Sequence, residues 1–134
     1  MKKRTAMLFL AATLMLASQV QAGAVETLQQ QYQTAGTGPF SASAGETVWL
    51  TKHQDAKTGQ QRNCQTCHGT DLTVAGKHAK TGKVIDPLAP SANGERLTKV
   101  KTINKWFKRN CKWTLGRECT VQEKGDLLEY LKQQ

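Results

Sequence analysis

Cys64-Gln65-Thr66-Cys67-His68 constrains this chain more than any other stretch. It reads C-x-x-C-H, the attachment signature of a c-type haem. Two thiols at this spacing can form thioethers to the two vinyl groups of one porphyrin, and the adjacent imidazole then falls beneath the iron as its proximal ligand. The same pair could be half a zinc site, but zinc needs a second pair of ligands at similar spacing. Cys111 and Cys119, the other cysteines, are too far apart for that. A thioredoxin-like dithiol needs no following His and sits in an alternating strand–helix chain, a pattern missing here. One covalent haem c is the expected cofactor.

The N-terminus reads as an export signal. Lys2, Lys3 and Arg4 form a positive region, Met7 to Ala17 an apolar one, and Val20-Gln21-Ala22 supplies small residues before a cut. Cleavage is expected after Ala22, although Ala22-Gly23-Ala24 also fits. The apolar core is shorter than the ~20 residues of a membrane span. Residues 1–22 are therefore expected as signal peptide and 23–134 as one periplasmic cytochrome c domain, without membrane insertion and monomeric by default. The chain has only eight aromatic residues; a core that sparse is marginal alone, and a buried haem would add apolar surface. Loss of the signal lowers the formal charge from +9 to +6. That excess is either a solvated surface or a patch that steers an acidic redox partner. Nucleic acid is not an expected partner, because the lysines are scattered and the compartment is wrong.

The periodicity is helical. Val25 to Ala35 reads as a helix ended by Gly36 and Gly38, and Ala44 to His53 as a second. Asp55 to Gln61 is turn-rich, and Gly69 to Asn93 reads as one long wrapping loop. Helix resumes with Thr98 as N-cap, with Val100, Ile103, Trp106 and Phe107 on one face. Thr120-Val121-Gln122-Glu123 is a capping box, followed by the stripe Leu127, Leu128 and Leu131. This order matches an all-α, class I cytochrome c fold, in which the N- and C-terminal helices cross above the haem. Trp49, Trp106 and Trp113 read as packing residues, Gly69 as a turn, and Lys99, Lys101, Lys105 and Lys108 as a solvated face unless the haem edge opens beside them.

The distal ligand is the open question. Methionine is usual for electron-transfer cytochromes c, but Met1, Met7 and Met15 all lie in the expected signal peptide. His53, His78 and any of several lysines are candidates. Another is Asn110, whose competing reading is a helix C-cap. In an oxidising compartment Cys111 and Cys119 are expected to be bridged rather than free, either as a plain staple or to hold the helix end carrying Asn110.

The chain resembles the Sphaeroides haem protein family of small high-spin class I cytochromes c. The likeness rests on Cys64-Gln65-Thr66-Cys67-His68-Gly69, on Pro87-Leu88-Ala89-Pro90-Ser91, and above all on Trp106-Phe107-Lys108-Arg109-Asn110-Cys111 with Gly116-Arg117-Glu118-Cys119-Thr120 and Glu123-Lys124. It implies that Asn110 is the distal ligand of oxidised iron and that Cys111 and Cys119 form a disulfide. It further implies release of the asparagine on reduction, binding of diatomic molecules such as oxygen and nitric oxide, and electron supply from a dihaem cytochrome c and a membrane cytochrome b. Three functions follow as alternatives: a redox-gated gas binder with oxygen reduction as a further step, a closed low-spin electron carrier, or a nitric oxide binder without turnover. No distal His/Arg pair of the peroxidase kind marks a catalytic residue.

Overall fold

A computed structural model describes residues 22–134. The expected signal peptide lies outside the described residues, apart from Ala22. Helix α1 spans Ala24–Thr34 and α2 Ala42–Leu50. A hairpin of β1 (His53–Gln54) and β2 (Gln61–Arg62) leads to the single turn α3 (Gln65–His68). A second hairpin, β3 (Gly76–Lys77) and β4 (Val84–Ile85), precedes α4 (Val100–Leu115) and α5 (Val121–Leu131). Among the described residues no helix is long and apolar enough to cross a membrane.

The helices form where local chemistry favours them, with three departures from the sequence reading. The α2 helix starts two residues earlier than expected, because Ser41 caps it by accepting from the Ala44 N–H. It stops at Leu50, short of His53. The freed Leu50 carbonyl accepts from Asn63 Nδ2 at 3.1 Å and the Trp49 carbonyl from the Cys64 N–H at 3.4 Å. The helix end is thus traded for ties to the attachment turn. At α4, Thr98 is not the N-cap: its hydroxyl donates back to the Glu95 carbonyl, and Lys99 takes the cap position without a side-chain bond. The segment 69–93 is not wholly loop, since Gly76 pairs with Ile85 and Lys77 with Val84. By contrast, α5 begins with both bonds of the capping box at Thr120 and Glu123 in place.

The main helix crossing is between α5 and α2, while α1 lies against α4 and α5. The expected partner of the last helix was the N-terminal one; the chain instead places an extra helix before it. The crossing is close because it uses glycines. A Cβ on Gly45 would collide with the Asp126 carbonyl, and one on Gly125 with the Phe40 ring. Asp126, itself buried, accepts from the Ser41 N–H at 2.8 Å and from Gln122 Nε2 at 3.1 Å, fixing the register of the two helices. Two apolar clusters flank the crossing. Val25, Leu28, Ile103 and Leu128 join α1, α4 and α5, and Trp49, Leu127, Leu131, Cys111 and Cys119 are central to the other. The two clusters leave a cavity between α3 and α4.

Candidate haem site

The cavity holds about 860 Å³, near the top of the ~300–1,000 Å³ range of small-molecule and cofactor sites. Cys64, Cys67 and His68 line one side and Trp106, Phe107 and Asn110 another. The sequence-predicted residues are therefore brought to one space. The size, the apolar lining and the paired thiols fit a covalently held macrocycle.

The attachment turn is built by a residue the sequence reading passed over. Buried Asn63 accepts from the Thr66 N–H at 3.1 Å, and its own N–H donates to Thr66 Oγ1 at 3.0 Å. Its Nδ2 reaches the end of α2, as described above. Asn followed by Thr at the third position is the mutual capping pattern that would have revealed it. Gly69 then turns the chain away with φ of 74°, a left-handed value that suits glycine. The second hairpin rests on this turn: a Cβ on Gly76 would strike the Cys67 carbonyl, and the Ala79 N–H donates to Cys67 Sγ at 3.4 Å.

Burial pushes the His68 imidazole down to about 4, with the nearby Arg96 charge acting in the same direction. The ring is thus neutral at neutral pH and keeps a lone pair for a metal. Its partner is Trp49, only 4% exposed, with ring centroids 5.4 Å apart. Arg96 is held by the Pro87 carbonyl at 2.9 Å and the Asp86 carbonyl at 2.6 Å. Burial also drives the Cys64 thiol up to about 12, helped by neighbouring Cys67, so it stays protonated until it reacts.

The distal candidates separate. His53 sits in β1 opposite Arg62 and does not line the cavity. His78 lines it, but from the hairpin that rests on Cys67, and its Nδ1 already accepts from the Lys80 and Thr81 N–H groups. Lys83 and Lys99 are lysines on the rim. Asn110 lies within α4, which runs on to Leu115 and is capped by Gly116 at φ of 72°. The C-cap reading of Asn110 is therefore wrong. Asn110 lines the cavity and is exposed. The next residue, Cys111, is buried beside Cys119, with Cα atoms 5.5 Å apart, at the junction of α4 and α5.

The lysines also acquire a place. Lys101, Lys105, Lys108 and Lys112 recur at helical spacing along one flank of α4. None of the four lines the cavity; the α4 residues that do, among them Thr102, Ile103, Trp106, Phe107 and Asn110, lie on the other side of the helix. Trp106, on the cavity side and 44% exposed, carries Lys105 and Arg109 over its ring at 5.4 and 5.7 Å.

Comparison with known proteins agrees with this geometry. A family model described as a domain of unknown function, DUF1924, matches residues 35–131. The cytochrome c-type protein SHP of Cereibacter sphaeroides is 43% identical over 103 residues, 77% of this chain and 78% of that protein. Cytochrome c'' of Methylophilus methylotrophus is 35% identical over 84 residues, 63% of this chain and 58% of that one. The solved structure of oxidised SHP, described as an oxygen-binding cytochrome c, superposes with a TM-score of 0.72 at 40% identity, covering 82% of this chain and 96% of that one. With 43% identity over most of its length and a common helix arrangement, the chain belongs to the SHP family of c-type cytochromes, with a class I-like fold and haem c as its cofactor.

Proposed function

We propose that this protein is a periplasmic, redox-gated cytochrome c that binds diatomic ligands such as oxygen, nitric oxide and carbon monoxide. In this reading Cys64 and Cys67 hold the haem through thioethers, His68 is the proximal ligand and Asn110 the distal ligand of the oxidised form. When bound, the haem supplies a one-electron redox centre with an axial position open to exchange. The observation that carries the reading is the place of Asn110 on the cavity wall formed by α4, in a chain without methionine after Met15.

The amide oxygen of Asn110 is a hard, neutral, weak donor, better matched to Fe(III) than to the softer Fe(II). Asn110 therefore holds on in the oxidised state and lets go in the reduced one. Once free, its N–H group can turn and donate to a bound diatomic. A disulfide between Cys111 and Cys119 fixes the residue next to it. Lys99 and Arg109, which line the cavity, offer positive charge to receive an acidic cytochrome donor at its edge. The similar solved structure of oxidised SHP is described as an oxygen-binding cytochrome c, which supports gas binding here.

Optical spectra of the purified holoprotein test this, oxidised and dithionite-reduced, with and without carbon monoxide. A high-spin ferrous spectrum that shifts fully with carbon monoxide is expected. A low-spin ferrous spectrum indifferent to carbon monoxide would assign a strong sixth ligand and a plain electron carrier.

A further inference from the structure

We propose that Arg62 is a positioning residue that sets the reach of Asn110 across the cavity; this rests on Asn110 being the distal ligand. Arg62 ends β2, two residues before Cys64. Its side chain is 13% exposed and does three things at once. Nη2 pairs with Asp55 Oδ2 at 2.5 Å, Nη1 donates to the Trp113 carbonyl at 2.9 Å, and the guanidinium lies 4.4 Å from the centre of the Trp113 ring.

The Trp113 carbonyl lies in the last turn of α4, where carbonyls have no partner within the helix. A cation placed there satisfies one of them and complements the helix dipole. Trp113 is also three residues after Asn110, one turn along the same side of the helix. Arg62 thus joins the strand that leads into the attachment motif to the helix turn that carries Asn110. Each partner is anchored separately. Asp55 Oδ1 is engaged by the Lys57 and Thr58 N–H groups, so Oδ2 presents the carboxylate from a fixed turn. The capping partners of Asn63 fix the chain just beyond Arg62. The clamp ties the chain just before Cys64 to the last turn of α4, whose Trp113 lines the cavity.

Only a planar fork can face Asp55, the Trp113 carbonyl and the Trp113 ring together. Lysine keeps the charge but loses the second bond and the stacking. Release of the clamp would leave the C-terminal turn of α4 free to shift, and Asn110 would compete less well for ferric iron. The reduced state, with Asn110 already released, would be indifferent.

The test is titration of the ferric holoprotein with imidazole and of the ferrous holoprotein with carbon monoxide. Arg62→Gln should raise ferric imidazole affinity by roughly tenfold, the loss of about one charge-assisted hydrogen bond. Ferrous carbon monoxide affinity should stay within roughly twofold. Arg62→Lys should behave like Arg62→Gln; full recovery of the wild-type value with lysine would overturn the fork. In an Asn110→Val background, Arg62→Gln should change nothing further. An equal rise in both backgrounds, or no rise in either, overturns the inference while leaving the ligand intact. If Asn110→Val alone leaves imidazole affinity unchanged, the ligand assignment falls and the inference with it. Should Arg62→Gln fail to fold, Asp55→Asn keeps the turn at Oδ1 and loosens the same guanidinium. A smaller rise is then expected, and an unchanged affinity counts against the clamp.

Discussion

Glu123→Gln offers a quantitative test of how the start of α5 is held. The Glu123 carboxylate accepts from the Thr120 N–H at 2.7 Å and from both terminal nitrogens of Arg117, each at 2.7 Å. The hydrogen bonds from Arg117, chiefly, hold its pKa at about 2 instead of the ordinary 4.5. Because the folded value lies below the unfolded one, this contribution is full above the unfolded value and is lost as pH falls through about 2. The drop from 4.5 to about 2 sets a ceiling of roughly 3 kcal/mol. Arg117 is 50% exposed and Glu123 22%, so solvent screening reduces this to about 1–1.5 kcal/mol. Glutamine still accepts from the Thr120 N–H, so the cap survives and the charge is what is lost. Urea unfolding of the holoprotein at pH 7 should show Glu123→Gln less stable by that amount, and Arg117→Met should match it. The gap between wild type and Glu123→Gln should close as pH falls from about 4.5 towards about 2, whatever acid does to both proteins through His68. A gap of constant size across that range, or none at pH 7, would refute the argument.

Gly45→Ala should cost about 2–3 kcal/mol by thermal melting, because overpacking at the Asp126 backbone exceeds the ~1 kcal/mol that alanine gains in a helix; a stabilised variant would mean that the helices do not cross there. Replacing both Cys111 and Cys119 by serine should lower stability by roughly 2–3 kcal/mol in urea, the value for closing so short a loop; an unchanged midpoint would show that the pair is not bridged in the purified protein. Asn110→Val should still bind carbon monoxide in stopped flow but lose oxygen roughly tenfold faster, the worth of one hydrogen bond. An unchanged oxygen off-rate would remove the amide from the ligand-binding step.

Much of this architecture is legible in the sequence because the relevant signals are local. The pair Thr120 and Glu123 announces α5, and Gly36 with Gly38 marks the end of α1. The attachment motif fixes Cys64, Cys67 and His68 at sight, and the absence of methionine after Met15 opens the distal question. Contacts between distant segments are not legible. Strands of two residues have no period to read: the first hairpin falls on an expected helix end and a turn-rich stretch, the second within an expected loop. The early end of α2 depends on Asn63, thirteen residues past the carbonyl it occupies. The bond from Arg62 to Trp113 joins residues 51 apart, and nothing near either one marks it. Asn110 shows the limit within a motif: its neighbours suggested a helix end, yet the helix continues because Gly116, not Asn110, supplies the left-handed turn.

The glycine crossing of α2 and α5 bears on the order of events during biosynthesis. Gly45 precedes the attachment motif in the chain and Gly125 follows it. As an exported chain is delivered N-terminus first, α2 and the motif emerge before their partner. The crossing cannot close until the last helix has emerged. Until then nothing braces Trp49 from the α5 side, where Tyr130 later lies 6.1 Å away, and the two thiols stand on an unfinished wall. Placing that brace after the motif in the chain keeps the motif open to whatever installs the cofactor, and shuts the site only when α5 has docked on α2.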